Sequence, residues 1–367
     1  MTKTREEFDE LLKSHKEAVK YWSLSLEDPQ KSLTKVQSAK VSKPLDELLK
    51  LSRLIKAHTT KVGIIFKPEN IAKDFNPAFS TLQKLSESLV FFISVLAQLQ
   101  PSVISHLYYN EIIEKVKELL DSNSKFADEL ISIFEKDSES ESPEQYSGSE
   151  VKEIKNNDEV DRRLVSVGKI WSNCDSLSSL IQKGALDLLT SKIKVNVSLI
   201  EDGYEEFVEW TKNPEEFDDD PFGFSDDESD NEDEDDKDKE PPVVKGEDSE
   251  EEKLHKDELI KYSQFWSKKI DLVKLLLASF KKSLPVTTTG QSIDLINGSQ
   301  YNLVTLIDKF IVDLMMDRTI DDEIKEYTDE ITKESKRLVK IARDIHAKND
   351  KRAKWYSAWE TKYTSDL

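Results

Sequence analysis

The side chains best suited to catalysis or metal binding are few in this chain and far apart. The five histidines are His15, His58, His106, His255 and His346, and the single cysteine is Cys174. A di-iron helical bundle needs two Glu-x-x-His motifs on different helices, and only Glu252 to His255 has that spacing here. There is no HExxH, P-loop or dinucleotide-binding glycine motif. The sequence therefore indicates no catalytic residue, no metal site and no cofactor, and predicts a non-enzymatic protein.

Two of these residues lie on predicted apolar helix faces. His58 has no nucleophile or acid near it in the pattern, so a packed or partly exposed histidine is favoured over a catalytic one. Cys174 shares a face with Trp171 and Leu177, which favours a buried thiol. A single cysteine also excludes an intrachain disulfide and is consistent with a reducing compartment, the cytosol or nucleus.

Negative charge is concentrated in one segment, residues 215–252, which we call the acidic tract. It holds 21 Asp or Glu and only three Lys, a net charge of −18, whereas the whole chain has a net charge of −21. The remainder of the chain is therefore close to neutral. Such a composition predicts a disordered, solvated linker. The alternative is a docking arm for basic partners such as histones or basic DNA-binding regions.

Short patterns inside the acidic tract suggest modification or docking. Ser225, Ser229 and Ser249 are each followed by an acidic residue three positions later, as acidophilic kinases prefer, although any acidic tract with serines has this pattern. Phe222 and Phe224 are aromatic residues within the acidic sequence and form a candidate docking motif, with chance occurrence as the alternative.

Glycine is scarce, and this scarcity decides the fold class. The chain has 9 Gly in 367 residues, about a third of the roughly 7% average usage. Sheets and phosphate-binding folds need glycine for tight turns, whereas long helices need little of it. Apolar residues also recur every three or four positions on both sides of the acidic tract. We therefore predict an all-α protein.

Proline and glycine punctuate these helical patterns. Helices are predicted after Pro44, after Pro77 and after Pro101, with a break at Gly184 and a loop from Pro285 to Gly290. Residues 138–148 are rich in Ser and Glu and are predicted to form a loop. The longest apolar run, from Leu89 to Leu99, falls short of the ~20 residues of a membrane span, so we expect no membrane association.

The predicted C-terminal helix carries a cluster of basic residues followed by Trp355 and Trp359. Residues 333–354 contain nine basic residues and only three acidic residues. Basic residues with aromatics occur in nucleic-acid-binding surfaces. Their position on the polar face of an amphipathic helix favours a solvated surface instead, and nucleic acid is not the expected partner. The cluster also has the charge to attract the chain's own acidic tract.

Several stretches together resemble the cyclin-D-binding (cyclin-D-interacting) protein family, also described as Id-like, helix-loop-helix-related inhibitors. The resemblance extends from about Lys43 to Asp317 and is strongest in residues 55–66, 89–101, 167–174, 199–207 and the insert that begins at 218–224. It implies two helical bundles similar to vinculin and α-catenin modules. It also implies a non-enzymatic regulator of cell-cycle progression and transcription in the nucleus and cytoplasm, with cyclins or helix-loop-helix-type regulators as partners.

Combined, the patterns predict two elongated antiparallel helical bundles joined by a disordered acidic linker. The predicted divisions are a poorly patterned extension with one weak helix (1–42), an N-terminal bundle (43–212), the linker (213–252) and a C-terminal helical region with a basic tail (253–367). We expect a protein-binding adaptor or inhibitor that acts through helical grooves and an acidic arm. The alternative is an acidic chaperone for histones or other basic proteins.

Overall fold

A computed structural model describes residues 3–37, 39–71, 74–139, 161–212 and 250–365. All regular structure in these ranges is helical, which confirms the predicted all-α class. The helices are α1 (Arg5–Ser25), α2 (Pro29–Leu33), α3 (Pro44–Ile65), α4 (Pro68–Ile71), α5 (Asn76–Leu96), α6 (Pro101–Ile104), α7 (His106–Glu139), α8 (Arg162–Trp210), α9 (Glu250–Ser283), α10 (Gly290–Asp317), α11 (Asp322–Ile345) and α12 (Asp350–Thr364). The predicted loop 138–148 lies largely outside the described residues, and the acidic tract does so except for its last three residues, which begin α9.

The helices form two compact units, Met1–Leu188 (unit 1) and Leu189–Leu367 (unit 2). The boundary falls within α8, close to Gly184, whose φ of 82° and ψ of 177° interrupt the helix. A positive φ is readily adopted by glycine, so the predicted break at this residue is confirmed. The first unit therefore ends earlier than the predicted bundle boundary at residue 212, and the C-terminal half of α8 belongs to unit 2.

Prolines set the starts of several helices in unit 1. Pro29, Pro44, Pro77 and Pro101 all lie in the first turn of a helix. Proline is tolerated there because its missing N–H would have no intrahelical acceptor, and its fixed φ suits the helix. This agrees with the helix starts that were predicted from the positions of proline in the sequence.

The first helix is an integral part of unit 1. Its N-terminus is closed by a capping box in which Thr4 accepts from the Glu7 backbone and the Glu7 side chain accepts from the Thr4 backbone. Phe8 is fully buried and its ring lies 4.9 to 6.1 Å from those of Phe66, Phe75, Phe79 and Phe134. The predicted weak helix in residues 1–42 therefore contributes to the core of the unit.

Helices α3 and α8 approach each other closely at Gly63. A Cβ atom at Gly63 would lie 2.7 Å from Cγ2 of Val167. Further along the same contact, the Ser52 hydroxyl donates to the carbonyl of Cys174 at 3.2 Å. The small residues Gly63 and Ser52 thus set the distance between these two helices.

Unit 2 is built around an aromatic cluster. The ring of Phe310 on α10 lies 5.5 to 6.5 Å from those of Phe207, Tyr262 and Trp266. The Tyr204 hydroxyl donates to the carbonyl of Ser267 at 2.8 Å, which joins α8 to α9. These contacts place the C-terminal half of α8 firmly in the core of unit 2.

The C-terminal segment differs from the single predicted helix. The chain leaves α11 after Ile345 and starts α12 at Asp350, with the Asn349 side chain accepting from the Arg352 backbone as an N-cap. Helix α12 folds back so that Trp359 is buried and donates from Nε1 to the Leu272 carbonyl at 2.8 Å. The break has neither proline nor glycine to mark it, and the cap and the buried aromatics explain why it forms.

Helix α5 is the one described helix with the length and apolar composition to cross a membrane. The apolar stretch noted in the sequence starts at Leu89, whereas the helix already begins at Asn76. Leu82, Leu85 and Phe92 are fully buried within unit 1, as in the core helix of a folded unit.

A candidate protein-binding groove

An apolar groove lies in unit 2 between the C-terminal half of α8 and α10. Its volume is about 230 Å³. The lining residues are Asn196, Leu199, Ile200 and Gly203 from α8, and Tyr301, Val304, Thr305, Ile307, Asp308 and Ile311 from α10. The floor consists of the buried aliphatic side chains of Ile200, Val304, Ile307 and Ile311.

Exposed apolar residues form the walls of the groove. Leu199 is 57% exposed and Tyr301 is 64% exposed, one on each helix. Val312 and Met316 follow Asp308 at intervals of four, which places them on the Tyr301 side of α10, and both are exposed. Exposed apolar side chains grouped on one side of a folded unit are typical of interaction sites.

Gly203 deepens the groove because it contributes no side chain. A Cβ atom added there would meet no other atom within 4 Å. The backbone at Gly203 is helical, so the glycine is not needed for an unusual torsion angle. Its effect on the groove is the empty space that a side chain would occupy.

The charges around the groove are mixed. Asp308 lines it and is exposed, with no ion pair to any of the described residues. Glu206 lies on the same side of α8 as Leu199 by its spacing of seven, and Lys192 lies seven residues before Leu199. A ligand for this groove would therefore combine apolar anchors with at least one cation opposite Asp308.

Two further depressions occur in unit 1, around the connection between α5 and α6. They have volumes of about 510 and 460 Å³ and share Leu99 and Gln100. The first is lined by Pro29, Leu33 and Tyr109 among others, and the second by Pro44, Val103 and Ile104 among others. Both are more open than the unit 2 groove, and neither is lined by an exposed Phe, Tyr or Trp.

The titratable side chains His15, His58 and Cys174 are packed within unit 1. Burial lowers the pKa of His15 to about 4, and its Nδ1 lies 2.7 Å from the Ser86 hydroxyl. His58 is half-buried, and its Nδ1 lies 2.9 Å from the Ser88 hydroxyl. This agrees with the prediction of a packed or partly exposed histidine. Cys174 is a buried free thiol, and burial raises its pKa to about 11. Within the described ranges, no group of three or more His, Cys, Asp or Glu is arranged to hold a metal ion.

The candidate phosphorylation sites Ser225, Ser229 and Ser249 and the candidate docking residues Phe222 and Phe224 all lie outside the described residues. The sequence predicts that helical grooves serve as binding sites, but it does not indicate which helices form this groove. Its two walls are about a hundred residues apart in sequence, and no local pattern links them.

The fold and the site define an all-α protein with an exposed apolar groove. Residues 47–213 match the domain described as "Grap2 and cyclin-D-interacting, N-terminal", so this part of the chain is a domain of that family and the resemblance seen in the sequence is confirmed over this range. The family is one of interaction domains, and no enzyme family is indicated. The match includes the α8 wall of the groove and ends before α10.

Two fungal proteins are similar to this chain over nearly its whole length. A Saccharomyces cerevisiae protein, "Uncharacterized protein YLR287C", is 27% identical over 348 residues, which is 90% of this chain and 88% of the relative. A Schizosaccharomyces pombe protein, "Uncharacterized protein C22E12.18", is 24% identical over 98% of this chain and 96% of the relative. The similarity therefore extends beyond the family domain, which ends at residue 213, into the remainder of unit 2.

Proposed function

We propose that this chain is a non-enzymatic, protein-binding regulator of cell-cycle progression and of transcription, acting in the cytoplasm and nucleus as an adaptor or inhibitor. The family domain over residues 47–213 carries the proposal, because the family is described by its interactions with Grap2 and cyclin D. Cyclins or helix-loop-helix-type regulators are the partner classes that follow. The arrangement of helices in each unit is taken to be similar to vinculin and α-catenin modules.

The unit 2 groove is the proposed docking surface for such a partner. An amphipathic helix places residues at i, i+3, i+4 and i+7 into an apolar groove. Leu199 and Tyr301 would contact such a helix from both sides, and Ile200 and Ile311 would form the floor. Asp308 favours a partner helix with a basic residue beside its apolar stripe. The binding energy would come mainly from the aromatic and aliphatic anchors.

Filling the groove at Gly203 tests this proposal without weakening the fold. A Gly203→Leu side chain would extend into the open space of the groove, and the helix would gain up to about 1 kcal/mol of intrinsic stability. Gly168→Leu is the matched control, because Gly168 is also a helical glycine with no atom within 4 Å of an added Cβ, although it is more exposed than the half-buried Gly203. It lies in unit 1, away from the groove.

Quantitative affinity purification of the tagged full-length chain, followed by mass spectrometry, identifies the partners of each variant. We expect Gly203→Leu to reduce the recovery of at least one main partner and to weaken its purified complex by tenfold or more, about 1.4 kcal/mol. Gly168→Leu should leave both unchanged. Equal partner profiles for the two variants and the unmodified chain would exclude the groove as the docking surface.

The net charge of −18 on the acidic tract supports a second candidate function, a chaperone for histones or other basic proteins. In that case the tract would itself be the binding site, including any phosphate added at its serines. Binding that is lost when ionic strength rises from 0.1 to 1 M would point to the tract, because screening shortens from about 10 to 3 Å. Binding through the apolar groove would persist at high salt.

A further inference from the structure

Three helix ends meet in unit 2 and bring basic residues together. The Tyr356 hydroxyl on α12 lies 3.0 Å from the Ser279 hydroxyl and 2.7 Å from that of Ser283, near the end of α9. The ring of Tyr356 also stacks on His346, which follows α11, at 5.8 Å. The end of α9, the end of α11 and the start of α12 therefore adjoin one another around this tyrosine.

The exposed cations at this junction are Lys281, Lys282, Lys348, Lys351 and Arg352, and we call this set the basic end. None of the five forms an ion pair with a carboxylate among the described residues. Arg352 instead donates to the Ser283 carbonyl. Elsewhere the exposed lysines are commonly paired within their own helix, as Lys13 is with Asp9 and Lys333 is with Glu330.

Favourable interactions with helix dipoles explain the presence of only some of the cations in the basic end. Lys281 and Lys282 lie in the last turn of α9, where cations favourably oppose the negative end of the helix dipole. Lys351 and Arg352 lie in the first turn of α12, where the dipole is positive and each cation is unfavourable by about 0.3–1 kcal/mol. The stability of the individual helices therefore does not account for the positive charge of this surface.

We propose that the basic end is an intramolecular binding site for an acidic peptide, and that its occupant is the chain's own acidic tract. The tract has a net charge of −18, and the basic end supplies the unpaired positive charges that complement it. Both ends of the tract connect to helices of unit 2, since it follows α8 and runs into α9. Covalent connection gives the tract an effective concentration of about 1 mM.

The length of the connecting chain permits this contact. Thr211, at the end of α8, accepts a hydrogen bond from Gln264 of α9 at 3.5 Å. At 1.5 Å per residue, Lys281 lies about 26 Å along α9 from Gln264 and about 47 Å from Glu250. Residues 213–249 can span roughly 120 Å when extended, more than the sum of these two distances. The acidic tract can therefore reach the basic end and return to the start of α9.

Other polyanions are less well matched to the basic end. A nucleic acid or an anionic membrane would approach a chain whose net charge is −21, most of it in a tract that is attached to the same unit. The tract would compete with either of them at its high effective concentration. This proposal does not depend on the function of the apolar groove, which lies on other residues.

A labelled peptide of residues 215–249 tests the site in trans. The full-length chain with all Asp and Glu of 215–249 changed to Asn and Gln should bind the peptide with strong salt dependence. If that dissociation constant is about 10 μM, the unmodified chain should bind the peptide about 100-fold more weakly, because its own tract occupies the site at about 1 mM. Carbodiimide cross-linking of the unmodified chain should link tract carboxylates to Lys281, Lys282, Lys348 or Lys351.

Charge reversal identifies the surface. Lys281→Glu, Lys282→Glu, Lys348→Glu and Lys351→Glu, made together in the chain with the neutral tract, should weaken peptide binding at least tenfold. The matched control reverses four other exposed lysines of unit 2, Lys194, Lys261, Lys268 and Lys309, and should change binding less than threefold. Equal effects of the two sets, or no peptide binding by the neutral-tract chain, would overturn the proposal. So would tighter binding of duplex DNA or anionic vesicles than of the peptide.

Discussion

Gly63→Ala should destabilise unit 1 although alanine is the better helix former. The new Cβ would lie 2.7 Å from Cγ2 of Val167, closer than van der Waals contact allows. Val167 is buried and β-branched, so its methyl groups cannot rotate away cheaply. Overpacking of this kind costs about 1–3 kcal/mol, and the gain in helix propensity offsets up to about 1 kcal/mol. We expect a net loss of about 1–2 kcal/mol.

A double-mutant cycle separates the contact from other effects. Val167→Ala removes the obstructing methyl groups, so Gly63→Ala should cost less in that background, with a coupling energy of at least about 1 kcal/mol. Gly168→Ala is the control, because its added Cβ meets nothing within 4 Å, and it should be neutral or stabilising. Urea unfolding followed by circular dichroism, with peptide-resolved hydrogen exchange to assign the change to unit 1, measures these differences. If Gly63→Ala were as well tolerated as Gly168→Ala, the close approach of α3 and α8 would be refuted.

Two further predictions concern buried titratable groups. Because burial lowers the pKa of His15 from 6.5 to about 4, the unfolded chain binds more protons in this range, and the free energy of unfolding should fall by about 3 kcal/mol between pH 6.5 and 4. A His15→Gln variant should lack this part of the pH dependence in urea titrations, and an unchanged profile would contradict the burial of the ring. Because burial raises the pKa of Cys174 to about 11, the folded chain should resist alkylation by iodoacetamide at pH 8 and react readily once denatured. Rapid alkylation of the folded chain would show that the thiol is accessible.

The positions of most helices could be predicted from local signals. Prolines such as Pro44 and Pro101 mark helix starts through their own backbone chemistry, and Gly184 marks a break through its positive φ. The end of α11 had no such signal, because Asn349 acts as a cap only once Trp359 is buried against α9. Local chemistry therefore determines helix boundaries better than it determines where a long helical pattern folds back.

Tertiary contacts account for what could not be predicted. The apolar face of α1 appeared weak in isolation, and it becomes part of the core because Phe8 meets aromatic rings from the C-cap of α3 and from α5 and α7. The groove depends on α8 and α10, whose lining residues are distant in sequence. The number of apolar stripes indicated that such grooves exist, and only the packing of the helices decides which pair leaves one open.

The contacts of α1 also affect how the chain is made. The Ser23 hydroxyl donates to the Asp121 carboxylate of α7, 98 residues later in the chain. Ribosomes add about 5–20 residues per second, so α1 waits roughly 5–20 s before its partner helix is synthesised. During that time Phe8, Leu12 and Val19, all buried in the finished unit, lack the part of their native contact surface that α7 provides. The nascent chain is therefore expected to present a chaperone-binding segment at α1.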